Sequence, residues 1–281
     1  MSTPDDIKNL VKRKYGEIAD EEPSASSCCG CERKKSCCGG TPPVPEAFVG
    51  NGVSNLMADD YKGIEGYEPE ADLGLGCGLP TKFAKIKPGD TVLDLGSGAG
   101  NDCFVARAET GPTGKVIGVD FTPSMVERAR KNAKRREFAN VEFIEGDIEK
   151  IPLDDNMIDV VVSNCVLNLV PNKAAVFKEI MRVLKSGGHF SISDIVLEGA
   201  LPVEVRSAAA LYAGCVAGAM QMKDYLALIT AAGFTKMIVQ KKKQIILPDE
   251  LLEKHLSKED VATFKSSKTG IYSISVYAEK P

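Results

Sequence analysis

The feature that most narrows what this chain can fold into is a short apolar run that ends in a ladder of glycines. Thr91-Val92-Leu93-Asp94-Leu95 passes straight into Gly96-Ser97-Gly98-Ala99-Gly100. A run of that length, closed by glycine and followed by a helical pattern over 101–110, reads as a buried parallel strand, a tight turn and a helix. Glycines at alternate positions let backbone approach a ligand closely, because no Cβ stands in the way. Twenty residues beyond Gly100, at the end of the next strand (Lys115–Asp120), lies Asp120. A carboxylate there can accept hydrogen bonds from the two ribose hydroxyls of a nucleotide-like ligand.

The alternation continues. Thr122-Pro123 supplies an N-cap and a first-turn proline for a helix to about residue 137. Val141–Gly146 and Met157–Asn164 read as the third and fourth strands, the latter centred on Val160-Val161-Val162. Residues 172–184 form an amphipathic helix with Ala175, Phe177, Ile180 and Leu184 inward, and Gly187-Gly188 turns into a fifth strand, His189–Leu197. Further on, helices over about 203–220 and 223–232 and strands near 236–246 and 271–278 complete the sheet. This implies an α/β, doubly wound, mostly parallel seven-stranded sheet with right-handed crossovers. Before it, residues 5–19 place Ile7, Leu10, Val11, Tyr15 and Ile18 at helical spacing, with acidic residues in the first turn. Residues 20–45 lose periodicity and fill with Ser, Gly, Pro and Cys, which predicts a flexible loop. The chain thus divides into an N-terminal helix and Cys-rich loop (1–45), a glycine-rich cap segment (46–80), a ligand-binding domain (81–199) and a C-terminal region that completes the sheet (200–281).

Charge decides what the glycine loop can hold. A dinucleotide fingerprint spaces its glycines G-x-G-x-x-G to seat a pyrophosphate. Here the run is G-x-G-x-G, with Asp94 before it and Asn101-Asp102 after it. Carboxylates on both sides repel a pyrophosphate and attract a cationic amino acid and sulfonium. The set resembles the class I methyltransferases that use S-adenosylmethionine, over about residues 85–200. The resemblance implies that Gly96, Gly98 and Gly100 cradle the methionine part and Asp120 holds the ribose. It also implies that Asp147 meets the adenine amino group, with Met125 and Ile148 against the ring and Asn164 beside the amino-acid end. For Met125 and Ile148, plain core packing is an equal reading.

The acceptor side is unusual. An oxygen, nitrogen or carbon acceptor generally loses a proton, which calls for a positioned base. The chain has 2 histidines. His189 starts the fifth strand, on the edge away from the strand ends, and His255 sits among charges. Asp194 or a tyrosine could serve instead. Cysteine is plentiful by contrast: 9 residues, an odd number that precludes complete internal pairing. Cys28, Cys29, Cys31, Cys37 and Cys38 cluster, whereas Cys77, Cys103, Cys165 and Cys215 are scattered. Cys165 follows Asn164 at the end of the fourth strand. Cys77 and Cys215 sit in glycine-rich collars. Three such thiols suit a soft ion better than zinc, which usually takes a fourth ligand or histidine. Each is also readable as a buried small hydrophobe.

The segments Gly76-Cys77-Gly78-Leu79-Pro80, Ser163-Asn164-Cys165-Val166-Leu167-Asn168-Leu169 and Ala213-Gly214-Cys215-Val216-Ala217-Gly218 resemble those of arsenite methyltransferases. So does the opening Val11-Lys12-Arg13-Lys14-Tyr15-Gly16. The resemblance runs over nearly the whole chain and is weakest over 245–281. It implies that Cys77, Cys165 and Cys215 bind trivalent arsenic, whose lone pair takes the sulfonium methyl without any proton transfer. Unperturbed thiols are mostly protonated at neutral pH, so arsenic binding has to release protons. Arsenite and methylated trivalent arsenicals are then the substrates, a thiol reductant such as thioredoxin or glutathione is the partner, and no tightly bound metal is expected. Cys103 reads as packing. The N-terminal cluster reads equally as an arsenite-capturing or reducing accessory and as a dispensable tail.

Two other functional classes fit parts of the chain. A soft-metal sequestering or sensing protein would use the N-terminal thiols. A quinone- or sterol-type methyltransferase would use the sheet but leave the three cysteine contexts unexplained. The net charge of −4 shows no basic excess for nucleic acid or anionic lipid. The uncharged run Ser207–Met222 is too short to span a bilayer, and the polar N-terminus carries no signal-peptide core. The expectation is a soluble, cytoplasmic enzyme.

Overall fold

The computed structural model describes residues 3–20, 59–203, 205, 214–254, 256–267 and 269–281. The Cys-rich loop, with Cys28, Cys29, Cys31, Cys37 and Cys38, and His255 lie outside these residues.

Seven strands form one sheet. They are β1 (Thr91–Leu95), β2 (Lys115–Asp120), β3 (Val141–Glu145), β4 (Ile158–Asn164), β5 (Leu184–Glu198), β6 (Thr235–Ile245) and β7 (Gly270–Glu279). Their order is β3-β2-β1-β4-β5-β7-β6, parallel from β3 to β5, with β7 antiparallel to both β5 and β6. The order reverses between β1 and β4, and such a switch point opens a crevice at the C-terminal strand ends. Asp94–Gly100, Asp120, Asp147 and Asn164-Cys165 all fall at those ends.

The strands bury both faces because successive residues point to opposite sides. Val92, Val116, Val160 and Val162 pack with Phe104 and Ala129 under α3 (Asn101–Thr110) and α4 (Pro123–Arg135). Leu93, Ile117 and Val161 pack on the other face with Phe177 and Ile180 of α5 (Lys173–Val183) and Tyr225 and Ile229 of α7 (Met222–Ala231). The other described α-helices are α1 (Pro4–Asp20), α2 (Pro80–Phe83), α6 (Gly214–Ala217), α8 (Asp249–Leu252) and α9 (Lys258–Ser266). Of the helix expected over 203–220, α6 is part of what is described.

Several local expectations are corrected. Thr122 stands at the N-cap of α4 in extended conformation ahead of Pro123, but its hydroxyl makes no capping bond and is buried without a partner. On α5, Val176 and Val183 bury with Phe177 and Ile180, Ala175 stays partly exposed, and Leu184 already belongs to β5. β5 runs back through Gly187-Gly188 to Leu184 instead of starting at His189, with a register irregularity opposite 158–160. On α1, Thr3 and Asp6 cap each other reciprocally. Ile7 and Leu10 of its apolar stripe are exposed, while Lys8 is half-buried. Lys8 reaches over the sheet end to Asp147 and Glu149.

Candidate active site

A cleft opens at the β1/β4 switch point. Its floor is the glycine turn. Gly96 and Ser97 donate their amides to Val119 O (2.7 and 3.1 Å), folding the turn back on β2. Gly98 has φ +51° with nothing within 4 Å of where a Cβ would stand, so its bare face opens into the cleft. Asp94, Gly96, Gly98, Asp120, Met125, Asp147, Ile148 and Asn164 all line the cleft. Gly100 does not. It starts α3 at φ +100°, where a Cβ would meet Phe143 at 2.8 Å, so packing, and not ligand approach, explains this glycine.

The carboxylates are graded along the cleft. Asp94 is buried at the end of β1 and accepts a hydrogen bond from Cys103 Sγ (3.3 Å). Cys103 therefore does more than pack, since it satisfies a carboxylate of the cleft wall. Burial and the neighbouring Asp102 hold Asp94 well above the usual carboxylate range. Burial also pushes Asp102 up to about 6, tempered by hydrogen bonds from Tyr61 and Asn164. Asp120 accepts from the amides of Gly98 (3.0 Å) and Thr122 (2.9 Å), and burial still raises it. Asp147 is more exposed, paired with Lys8 Nζ at 2.6 Å. The hydroxyls of Ser97 and Thr122 are buried without partners in the same lining. Orphaned hydroxyls, an acidic end and an apolar Met125/Ile148 end form a donor set that fits a cationic, ribose-bearing molecule.

The second half of the site lies behind Asn164. Its Oδ1 accepts from the amides of Cys77 (3.0 Å) and Gly78 (3.3 Å). Its Nδ2 donates to Gly78 O (2.9 Å), Tyr61 Oη (2.8 Å) and Asp102 Oδ2 (3.1 Å). Tyr61 in turn donates to Asp102 Oδ1 at 2.7 Å. The glycine collar of Cys77 has a steric reason. A Cβ on Gly76 would lie 2.7 Å from Asn164 Nδ2, and one on Gly78 would lie 2.6 Å from Ser193 Oγ. Asn164 thus ties the Cys77 segment to the sheet as well as lining the cleft.

Cys77, Cys165 and Cys215 come together. All three are buried in one apolar cluster. Cys165 also lines the cleft and sits at φ +63°, with its amide donated to Ser193 O at 2.8 Å. A non-glycine residue at such φ is strained, and strain of this kind concentrates at functional sites. Burial pushes the Cys77 thiol up to about 11. Cys215 nearby works downward on Cys165, but the Cys77 thiol and burial outweigh it and hold it well above the usual thiol range. The neighbouring Cys165 thiol, then burial, raises Cys215. The trio therefore rests as thiols. Among the described residues no three His, Cys, Asp or Glu side chains stand as a ready metal cage.

Sequence reasoning missed Tyr61, Lys8 and the reach of Tyr15. The phenol of Tyr15 is enclosed within electrostatic reach of Cys215, Cys165, Asp120 and Cys77, although its ring remains partly exposed. Only the spacing of Val11 and Tyr15 hinted that this face points inward. His189 bonds Ala84 O at 2.6 Å on the far edge, away from the cleft as expected. No described helix is long and apolar enough to cross a membrane.

Residues 86–233 match the family described as Methyltransferase domain. An arsenite methyltransferase of Halobacterium salinarum is 42% identical over 242 residues, covering 86% of this chain and 60% of that protein. The Homo sapiens arsenite methyltransferase is 37% identical over 193 residues, covering 64% of this chain and 52% of that one. Among solved structures, an arsenic (III) S-adenosylmethionine methyltransferase from Chlamydomonas reinhardtii matches with a TM-score of 0.62 at 36% identity. That match covers 73% of this chain and 67% of the other. The chain spans about half the length of the arsenite methyltransferases it matches, from 45% to 60%.

Proposed function

The chain belongs to the arsenite methyltransferase branch of the methyltransferase-domain family, and from that premise we propose that it methylates trivalent arsenic held by Cys77, Cys165 and Cys215. What supports the reading is one juxtaposition. Three thiols from three separate segments are buried in one cluster, and one of them, Cys165, also lines a cleft suited to a cationic nucleoside.

Residues 81–199 hold the methyl donor, while the Cys77 segment and the region beyond 200 supply the rest of the substrate site. Asp94 and Asp102 hold the cationic end, Gly96 and Gly98 give it room, and Asp120 holds the ribose. Asp147, Met125 and Ile148 receive the adenine, and Asn164 lies between donor and substrate. When bound, S-adenosylmethionine supplies a methyl group activated by sulfonium charge. The protein's contribution is alignment in a water-poor site.

Protonated thiols suit arsenous acid. Each As–OH bond is exchanged for an As–S bond, and the thiol proton leaves with the hydroxyl as water, so no free proton is shed. This refines the expectation drawn from unperturbed thiols. Three sulfurs leave arsenic pyramidal, with a lone pair free to take the methyl. Methylation oxidises arsenic formally, so a thiol reductant of the thioredoxin or glutathione class restores the trivalent state, and methylated arsenite becomes a further substrate. The biological outcome is arsenic detoxification in a compartment that keeps thiols reduced, such as the cytoplasm.

Competition between acceptors tests the reading. Offered arsenite and an apolar quinol together, with methyl-labelled donor and a thiol reductant, the protein places the label on arsenic. Label on the quinol, or arsenite bound without methylation, contradicts it.

A further inference from the structure

Tyr61 is buried, at 6% exposure, and its hydroxyl has no part in the steps above. Its ring packs with Leu79 and Val105. Two residues upstream, Asp59 pairs with Lys241 and Lys243 of β6, so the residue is carried on backbone tied to the sheet. In the cleft wall the hydroxyl meets both halves of the site. It donates to Asp102 Oδ1 at 2.7 Å, accepts from Asn164 Nδ2 at 2.8 Å and lies 3.3 Å from Gly78 O.

The Cys77-Gly78 pair hangs on the same asparagine. Cys77 N and Gly78 N donate to Asn164 Oδ1 (3.0 and 3.3 Å), and Gly78 O accepts from Asn164 Nδ2 at 2.9 Å. Backbone amides only donate and carbonyls only accept, so these contacts fix which way the Asn164 side chain faces. Cys77 O is held separately, by Ser273 Oγ of β7 at 2.6 Å.

The network is short of hydrogens. Tyr61 brings one and Asn164 Nδ2 brings two. They face five contacts: Tyr61 with Asp102 and Gly78 O, and Asn164 with Gly78 O, Tyr61 and Asp102. A hydrogen drawn to the Asp102 carboxylate is therefore withheld from the carbonyl that fixes the Cys77 segment.

We propose that Tyr61 is a positioning residue that couples donor binding to arsenic binding, by sharing hydrogens between Asp102 and Gly78 O. The inference rests on the reading above, which places the donor's cationic end at Asp102 and arsenic on Cys77. In the empty cleft the carboxylate claims the shared hydrogens, because a charged acceptor makes the stronger hydrogen bond. The donor's amino-acid end carries an ammonium with hydrogens of its own. Supplied to Asp102, these release Tyr61 and Asn164 toward Gly78 O, which tightens the segment bearing Cys77. Arsenite then binds about tenfold more tightly to the loaded cleft, and by linkage arsenite tightens the nucleoside by the same factor.

Equilibrium dialysis of arsenite, with and without saturating S-adenosylhomocysteine, tests this. That nucleoside keeps the ammonium and has no methyl to give, so binding is read without turnover. In the unmutated protein it raises arsenite affinity about tenfold, and in Tyr61→Phe the factor falls below about threefold. Because the factor is a ratio, a uniform loss of affinity through a loosened fold cancels from it. A factor of about threefold or more in the Phe variant, or below that in the unmutated protein, overturns the inference. Should the variant fail to fold, 5′-methylthioadenosine decides on the unmutated protein, since it lacks the ammonium. It leaves arsenite affinity within about threefold, and a larger gain overturns the assignment. A protein that binds no arsenite fails the substrate reading as well. Normal methylation without the coupling fails only this inference.

Discussion

Cys165 carries two demands at one residue: a thiol in the buried trio and a left-handed backbone at φ +63°. Only glycine adopts that conformation freely, so a chemical reason for cysteine has to outweigh a strain of order 1–3 kcal/mol. Cys165→Ser or Cys215→Ser is expected to abolish arsenite methylation while donor binding, measured by calorimetry, persists within about threefold. Methylation retained in either variant would remove the three-thiolate site. Cys103→Ser should keep most activity for a reason the sequence did not offer, because a hydroxyl can still donate to Asp94. Cys103→Ala should lose more, since it orphans a buried carboxylate, typically about 1–3 kcal/mol. At this scale the glycine turn, Asp120 and the cysteine contexts were legible because their spacing is local. Tyr61 was not, because its partners Asp102 and Asn164 are 41 and 103 residues away in sequence.

Between residues, the elements that matter are the turn-rich stretch carrying Cys77 and helix α1. Gly78→Ala would drive a Cβ to 2.6 Å from Ser193 Oγ, which is itself bonded to Ser275 Oγ and cannot step aside. The expected result is loss of arsenite affinity of tenfold or more with the sheet intact by circular dichroism. Unchanged affinity would mean that Cys77 is not a ligand. Helix α1 was legible as a helix from its period, but not its orientation. Ile7 and Leu10 had suggested a core stripe, yet Lys8, Val11 and Tyr15 are what it presents to the cleft. Its ion pairs with Asp147 and Glu149 are partly exposed and contribute little stability, so Lys8→Ala should shift the melting temperature only slightly. The mostly parallel, doubly wound sheet was legible because β–α alternation and the right-handed crossover leave few choices, whereas the order of its strands was not, nor the antiparallel insertion of β7 between β5 and β6. The start of β5 was misjudged because Gly187-Gly188 reads as a turn, whereas the backbone keeps pairing through it.

Across the whole molecule, the acidic cleft, read as the donor site proposed above, couples ligand binding to pH. Burial pushes Asp102 up to about 6, above its ordinary value, so the folded state binds more protons than the unfolded chain. Its contribution to stability is therefore present at low pH and declines as pH rises through about 4 to 6. A cationic donor needs the ionised form, so the two trends oppose each other. Donor affinity should weaken about tenfold between pH 7 and pH 5, and the rise in melting temperature on adding donor should be larger at pH 7. Equal affinity at both would show that Asp94 and Asp102 do not face the donor's charge. The nine cysteines, the shortage of histidine and the acidic glycine turn fit a nucleophile that brings its own lone pair. The direct test is chromatographic separation of arsenic species after incubating the protein with arsenite, S-adenosylmethionine and a thiol reductant. Methylated arsenic from the parent and none from Cys165→Ser is the expected result. Arsenite recovered unmethylated from the parent, with donor shown to bind, would contradict the account.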